Sequence, residues 1–413
     1  LAAAVRALAA SRGIGPLPAP PRVSRALSLL GQALAFDKIL SGNRDISCMT
    51  CHLPGFATGD GRSLSVGQGA RGLGPARVHP NGVFIPRNAP PLFNLSSLPN
   101  LFWDGRVSVD EYGRFHTPAG AKLSRDMTRG FQFGAISALG LFPVLSRSEM
   151  RAAKGNELAA IPDDQEPAIW AALMKRLGSI WQYRVMFEAA YPGVPFRRMT
   201  FAHASNAMAG FFIDRFTFTR SPWDGFLAGN DNAMTAEQLQ AAQGFLGGRC
   251  AQCHNGPAFT DNRFHNVAVA QFGPGQGDGP GGNDDFGRMR ETGIPGDRYA
   301  FRTTPLRNVE LTGPYGHDGA FASLRDFIDH YSESDIKLKA FNPMTLEPLL
   351  QTTLVPNLDQ ILATRDSLLD GFVLPGAAID NIVRFMGALT DPAARDLRRT
   401  IPLRVPSGLP IDR

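Results

Sequence analysis

The chain has 413 residues, with 42 Lys and Arg against 37 Asp and Glu for a formal charge of +5, and 19% of its residues are charged. That length supports two or three domains with substantial cores, and so modest a charged fraction excludes a disordered chain. No Lys/Arg run points to nucleic acid, and no apolar stretch is long enough for a transmembrane segment.

In chain order, Leu1 to Ala10 is Ala-rich and interrupted by Arg6, and is expected as a surface helix or the remnant of an export signal. Leu27, Leu30 and Leu34 predict an amphipathic helix. It leads into Cys48-Met49-Thr50-Cys51-His52, then Phe56, Thr58 and Asp60. Pro91-Leu92-Phe93-Asn94 is followed by Trp103-Asp104-Gly105, and a closing helix is expected around Asn206 to Phe216. Between Ser221 and Thr235, Pro222, Gly225, Gly229, Asn230 and Asn232 break the periodicity, so the boundary is expected there, giving domains 1–225 and 226–413.

The second half repeats the plan. Thr235 to Gln238 forms a capping box opening a helix that carries Leu239, Ala242 and Leu246. Cys250-Ala251-Gln252-Cys253-His254 follows, then Phe259, Thr260 and Asp261. Phe272 to Gly287 is glycine-crowded and expected as a loop, flexible or folded over a cofactor edge. Pro305-Leu306-Arg307-Asn308 leads to His317-Asp318-Gly319, with the same spacing as the first copy: 317 − 308 = 103 − 94 = 9. Ala378 to Leu389 closes with a helical stripe of Ile379, Ile382, Val383, Met386 and Leu389.

The two Cys-x-x-Cys-His motifs use all four cysteines, and each is the attachment signature of a c-type haem. An all-cysteine zinc site leaves both histidines unexplained, and a redox dithiol accounts for one pair only. The expected fold is therefore mainly α: two tandem cytochrome c-like domains with long haem-wrapping loops and the haems near the domain interface. Four propionates bring the charge balance near neutral. Covalent haem is attached outside the bacterial cytoplasm, so a cleaved secretory signal and a periplasmic location are expected.

With Arg87-Asn88-Ala89-Pro90, Phe102-Trp103-Asp104-Gly105-Arg106, Glu149-Met150 and Leu306-Arg307-Asn308 through Gly319, nearly the whole chain resembles the bacterial di-haem cytochrome c peroxidase family, which includes MauG. The resemblance implies an open, peroxide-reacting first haem on His52 and a six-coordinate second haem on His254. The family's peroxidases ligate the second haem with a methionine fourteen positions after the histidine of His-Asp-Gly; here that position, 317 + 14 = 331, is Tyr331, as in MauG-type enzymes. A neutral thioether favours Fe(II), whereas a phenolate favours the oxidised metal. His330 and Met344 are the alternative ligands.

Further roles follow from the same resemblance. Glu149 is the implied catalytic acid–base, Pro143 a wall of the distal pocket, and Trp103 a charge carrier between the haems or a buried packing residue. Asn88, Thr312 and Pro314 match the family's calcium site. His79 lies near a removable first-haem ligand of the family, but as a loop histidine before Pro-Asn-Gly it is expected to be exposed. His317 is expected to donate a hydrogen bond near the second haem, and His116, His203 and His265 receive no role.

Hydrogen peroxide is the implied substrate. In the MauG-like reading, high-valent haems of bis-Fe(IV) type oxidise a residue on a periplasmic partner protein. Leu141-Phe142-Pro143-Val144 through Glu149-Met150 is similar to the methanobactin-associated branch, in which that residue is a tryptophan converted to kynurenine. MauG's tryptophan ahead of the second motif is replaced by Gly247-Gly248-Arg249, so the exit route differs. The competing readings are a peroxidase fed electrons by a small cytochrome or cupredoxin, and a di-haem electron carrier with no open site.

Overall fold

A computed structural model describes residues 1–413. The first core is built on two helices. Arg25–Phe36 is capped by the Ser24 hydroxyl, which accepts from the Leu27 N–H at 3.2 Å, and it buries Leu27, Leu30 and Leu34. It packs on Phe201–Phe216, whose Ala202, Ala204, Ala207 and Ala209 let the backbones approach. The approach is close enough that a Cβ at Gly31 would stand 1.9 Å from the Ala207 carbonyl oxygen, so only glycine fits there.

The second core pairs Ala236–Gly247 with Gly376–Ala388. Phe245, Phe259 and Phe385 meet there with Trp223, whose ring centroid lies 5.3 Å from that of Phe385 in an edge-to-face contact. Trp223 corrects one sequence expectation. The Ser221–Thr235 region was expected to be broken, yet Pro222–Leu227 is a short helix with Trp223 and Phe226 buried in the second core. Ser221 and Asp224 cap it reciprocally, and Pro222 suits its first turn.

Each terminus crosses to the other half. The helix Ala2–Ser11 lies on Ala236–Gly247 and puts Val5 and Ala9, with Ile14 beyond, into the second core, so it is only partly a surface helix. Conversely, Ala394, Leu397 and Val405 are buried in the first core. The tail is tied there by Ser407 Oγ to Asp37 Oδ1 at 2.6 Å, Lys38 Nζ to Asp412 at 2.6 Å, and Gln32 Nε2 to the Thr400 carbonyl at 2.8 Å. A chain whose ends are exchanged in this way resists separation of its halves.

The strands are short: an antiparallel trio of Asn100–Leu101, Val107–Val109 and Phe115–His116, and the pair Phe264–His265 with Phe301–Arg302. The glycine-crowded 272–287 segment is an ordered loop. Gln271 Nε2 donates to the Asp285 carbonyl at 2.8 Å, and Arg87 of the first half grips the Asp285 carboxylate at 2.7 and 2.8 Å.

Two haem sites and the seam between them

The second Cys-x-x-Cys-His motif opens as a single helical turn, Cys250–Cys253, and His254 follows it. His254 Nδ1 is 3.0 Å from the Phe259 carbonyl oxygen. A carbonyl only accepts, so Nδ1 carries the hydrogen and Nε2 keeps a free lone pair, the tautomer that an iron-ligating imidazole needs. In front of the histidine lies a cavity that Cys250 and Cys253 also line. Its walls are mostly apolar, and burial pushes the Cys250 thiol up to about 11. Cysteines set in an apolar slot suit addition to porphyrin vinyls better than a metal cage.

Tyr331 lines the same cavity. Burial, then the neighbouring Cys253 and Cys250, raises its phenol pKa, and its hydroxyl makes no hydrogen bond within the protein. The two alternatives stand elsewhere. His330 Nε2 is committed to the Val267 carbonyl at 2.9 Å, and Met344 is 65% exposed. His317 also lines the cavity, stacked on Phe301 at 3.7 Å between centroids, and burial lowers its pKa to about 3, so its ring is neutral. His265, unassigned from sequence, is held between Asp261 at 2.9 Å and Asp366, and these contacts with Cys253 raise its pKa to about 11.

At the first motif, Cys48–Cys51 is again one helical turn, and His52 Nδ1 is 2.8 Å from the Thr58 carbonyl oxygen. Thr58 and Phe259, the two acceptors, both have left-handed backbones, with φ of 66° and 57°. The first loop is thus one residue longer than a simple sequence pairing suggests. Burial raises the Cys48 thiol to about 12, and the Glu149 carboxylate adds to the rise at both Cys48 and Cys51, which puts Glu149 beside this motif.

Glu149 sits in a π-helical turn, Arg147–Arg151, begun by Ser146, whose hydroxyl accepts from the Glu149 N–H at 3.2 Å. Burial raises the Glu149 pKa, opposed by Arg106. The turn is pinned from outside: Gly42 N–H donates to Met150 at 2.7 Å and Gln68 N–H to Glu149 at 3.0 Å. A Cβ on Gly67 would lie 1.9 Å from the Ser148 carbonyl oxygen. Sequence periodicity gives no sign of a π turn, which often marks a functional position. Pro143 opens the 3-10 turn Pro143–Leu145 just before it. His79 lies over Gly69, with Nδ1 accepting from the Asn81 N–H at 3.1 Å, so its loop turns back on itself.

Between the sites the halves meet in mirrored hydrogen bonds. Asn88 N–H donates to the His317 carbonyl at 2.8 Å, and Arg302 N–H donates to the Trp103 carbonyl at 2.8 Å. Trp103 is buried, lines the second cavity and donates Nε1–H to the Asn88 carbonyl at 2.8 Å. Asn88, Thr312 and Pro314 line that cavity together. Arg302 went unnoticed in the sequence, although it precedes Asn308 by the interval that separates Asn88 from Asn94: 308 − 302 = 94 − 88 = 6.

A family model described as di-haem cytochrome c peroxidase matches residues 25–232. The chain is 27% identical over 304 residues to methylamine utilization protein MauG of Methylorubrum extorquens, covering 73% of this chain and 67% of the relative. It is 30% identical over 301 residues to cytochrome c551 peroxidase of Pseudomonas aeruginosa, covering 72% and 69%. The fold is similar to that of a MauG-like protein associated with microbial copper homeostasis, with TM-score 0.64 at 24% identity over 94% of this chain and 97% of that one. It is also similar to the di-haem peroxidase BthA of Burkholderia thailandensis, with TM-score 0.63 at 20% identity over 91% and 88%. Two histidines poised alike beside their cysteine pairs, in a mainly helical chain of which half matches one family, hold two c-type haems: the chain belongs to the di-haem cytochrome c peroxidase family of oxidoreductases.

Proposed function

We propose that this protein is a MauG-like enzyme of the periplasm, which reacts with hydrogen peroxide at its first haem and oxidises a residue on a partner protein, with tryptophan, converted to kynurenine, as the candidate. The observation that carries this reading is Tyr331, with its hydroxyl free of any protein hydrogen bond in the cavity that His254 faces. A phenolate there would help hold the second haem's iron and would favour the oxidised metal over the reduced one. Coordination to a ferric ion also offsets the burial that otherwise keeps the phenol protonated.

The bound haems supply the redox chemistry, taking up peroxide and storing oxidising equivalents. The chain's own residues do the rest. His52 and His254 present Nε2 because the Thr58 and Phe259 carbonyls hold their Nδ1–H groups. Glu149 moves a proton between the two peroxide oxygens, and the rise that burial gives its pKa makes its carboxylate a stronger base for that task. Pro143 walls the distal side, and Trp103 carries charge across the seam. Asn88 Oδ1 and the Thr312 and Pro314 carbonyls supply hard oxygen ligands of the kind calcium takes. On this assignment residues 1–225 carry the peroxide-reacting haem and 226–413 the six-coordinate one.

A cytochrome c peroxidase reading, with electrons from a small cytochrome or cupredoxin, is favoured by the similarity to c551 peroxidases of Nitrosomonas europaea and Pseudomonas aeruginosa, at 29% and 30% identity. Mixing fully ferric protein with hydrogen peroxide separates the two. A long-lived oxidised state of both haems, formed without reductant, is expected. A need for half-reduction before any reaction sinks the MauG-like reading. In Tyr331→Met, the electron paramagnetic resonance signal of the second haem is expected to change and its potential to rise; an unaltered signal removes Tyr331 as ligand.

A further inference from the structure

Arg302 is 7% exposed and forms no ion pair with any carboxylate of the chain. Its Nε–H donates to the Phe102 carbonyl at 3.2 Å, while Nη1 is buried with no partner at all. It lines the cavity of the second haem. The other buried arginines of the seam are matched: Arg87 holds Asp104 and Asp285, and Arg307 holds Asp224. A guanidinium carries five donors and stays charged, and leaving it buried without an anion is strongly unfavourable. Burial alone pulls Arg302 down to about 10, a sign of how little the protein itself does for this charge.

The missing anion has to come from what fills the cavity. Haem is the anionic group that belongs there, and its propionates are carboxylates whose planar geometry matches a guanidinium fork. We propose that Arg302 is the propionate clamp of the second haem: its Nη donors bind a propionate, while its Nε–H and its backbone N–H hold the Phe102 and Trp103 carbonyls. One residue then fixes both the porphyrin edge and the segment carrying Trp103. It is a positioning residue, acting through the haem and through Trp103. The position is the counterpart of Asn88 in the first half, which carries no charge.

The inference stands on the second cavity alone and is independent of whether the enzyme is MauG-like. Arg302→Leu and Arg302→Lys are to be made in the haem-loaded protein, and the potential of each haem titrated against pH. Loss of the adjacent cation in Arg302→Leu is expected to lower the second haem's potential and to give it a pH dependence across the carboxylate range that the parent lacks. The lysine variant is expected to restore most of the potential, and the first haem's potential is expected to stay in place. An unchanged second-haem potential and pH profile in Arg302→Leu overturns the proposal, as does a change confined to the first haem. Should the leucine variant not mature, an experimental structure of the haem-loaded parent decides: a propionate within hydrogen-bond distance of Nη1 or Nη2 supports the clamp, and both propionates beyond it refute it.

Discussion

The two haem corners began as one design and now differ at the points where charge is handled. Asn94 and Asn308 show the common ancestry. Both adopt a left-handed backbone, with φ of 54° and 64°. Asn94 N–H donates to Phe216 at 3.0 Å and Asn308 N–H to Leu389 at 3.1 Å, while their Oδ1 atoms accept from Phe218 at 2.7 Å and Asp391 at 2.9 Å. The same side chain thus locks the closing helix of each half to the segment after its haem motif. Ten residues on, the copies part. Asp104 is neutralised by Arg87 and Arg106, which with Arg87's two bonds to Asp285 makes a buried charged knot. Asp318, its counterpart, has one oxygen with no hydrogen-bond partner, and burial raises its pKa well above the usual range. The two corners share this backbone geometry and differ in the charges set around it.

The largest expected effect tests whether that division of labour holds. Glu149→Gln removes the carboxylate proposed to carry the peroxide proton beside the first motif, and general acid–base loss of this kind costs about 10²- to 10⁴-fold in rate. Stopped-flow mixing of the ferric variant with peroxide should show that drop in oxidation of both haems, with the second haem's resting spectrum unchanged. A normal rate breaks the assignment of the first site as the peroxide-reacting one.

Next comes the charged knot that only the first corner has. Arg87→Met leaves Asp285 with no basic partner and Asp104 with only Arg106 at 3.3 Å. Breaking a buried pair by removing one member costs about 3–5 kcal/mol. Because Asp285 belongs to the second half, the denaturant midpoints of both halves should fall together. A fall confined to the first half would show that the knot is local and does not join the halves.

How much of this was legible beforehand follows from the range of each interaction. The haem ligands, Asn94 and Asn308, and the Trp103 and His317 echo were readable because they are local motifs at fixed spacing. Tyr331 and Glu149 were reachable through family resemblance and not through periodicity. The exchanged termini were not legible: Val5 and Ala9 look like any Ala-rich helix, and only the Ala236–Gly247 helix beneath them explains their burial. Arg302 was missed for a related reason. Arginine in a polar strand reads as exposed, and its significance lies in the absence of a carboxylate nearby in space.

The smallest effect is the sharpest test of common design. At a left-handed position alanine pays about 1–2 kcal/mol of backbone strain that glycine avoids, and both lose the side-chain bond, whose buried N–H partner then goes unsatisfied at about 1–3 kcal/mol. Asn94→Ala and Asn308→Ala should therefore destabilise by similar amounts, each more than the corresponding glycine variant. The denaturant midpoint of each half, followed by the absorbance of its own haem, reads both terms separately. Equal alanine-to-glycine differences with unequal losses to glycine would mean that the backbone is still shared while the value of the hydrogen bond has diverged. Unequal alanine-to-glycine differences would mean that even the left-handed corner now carries different loads, and the pairing of the two halves through these asparagines would fail.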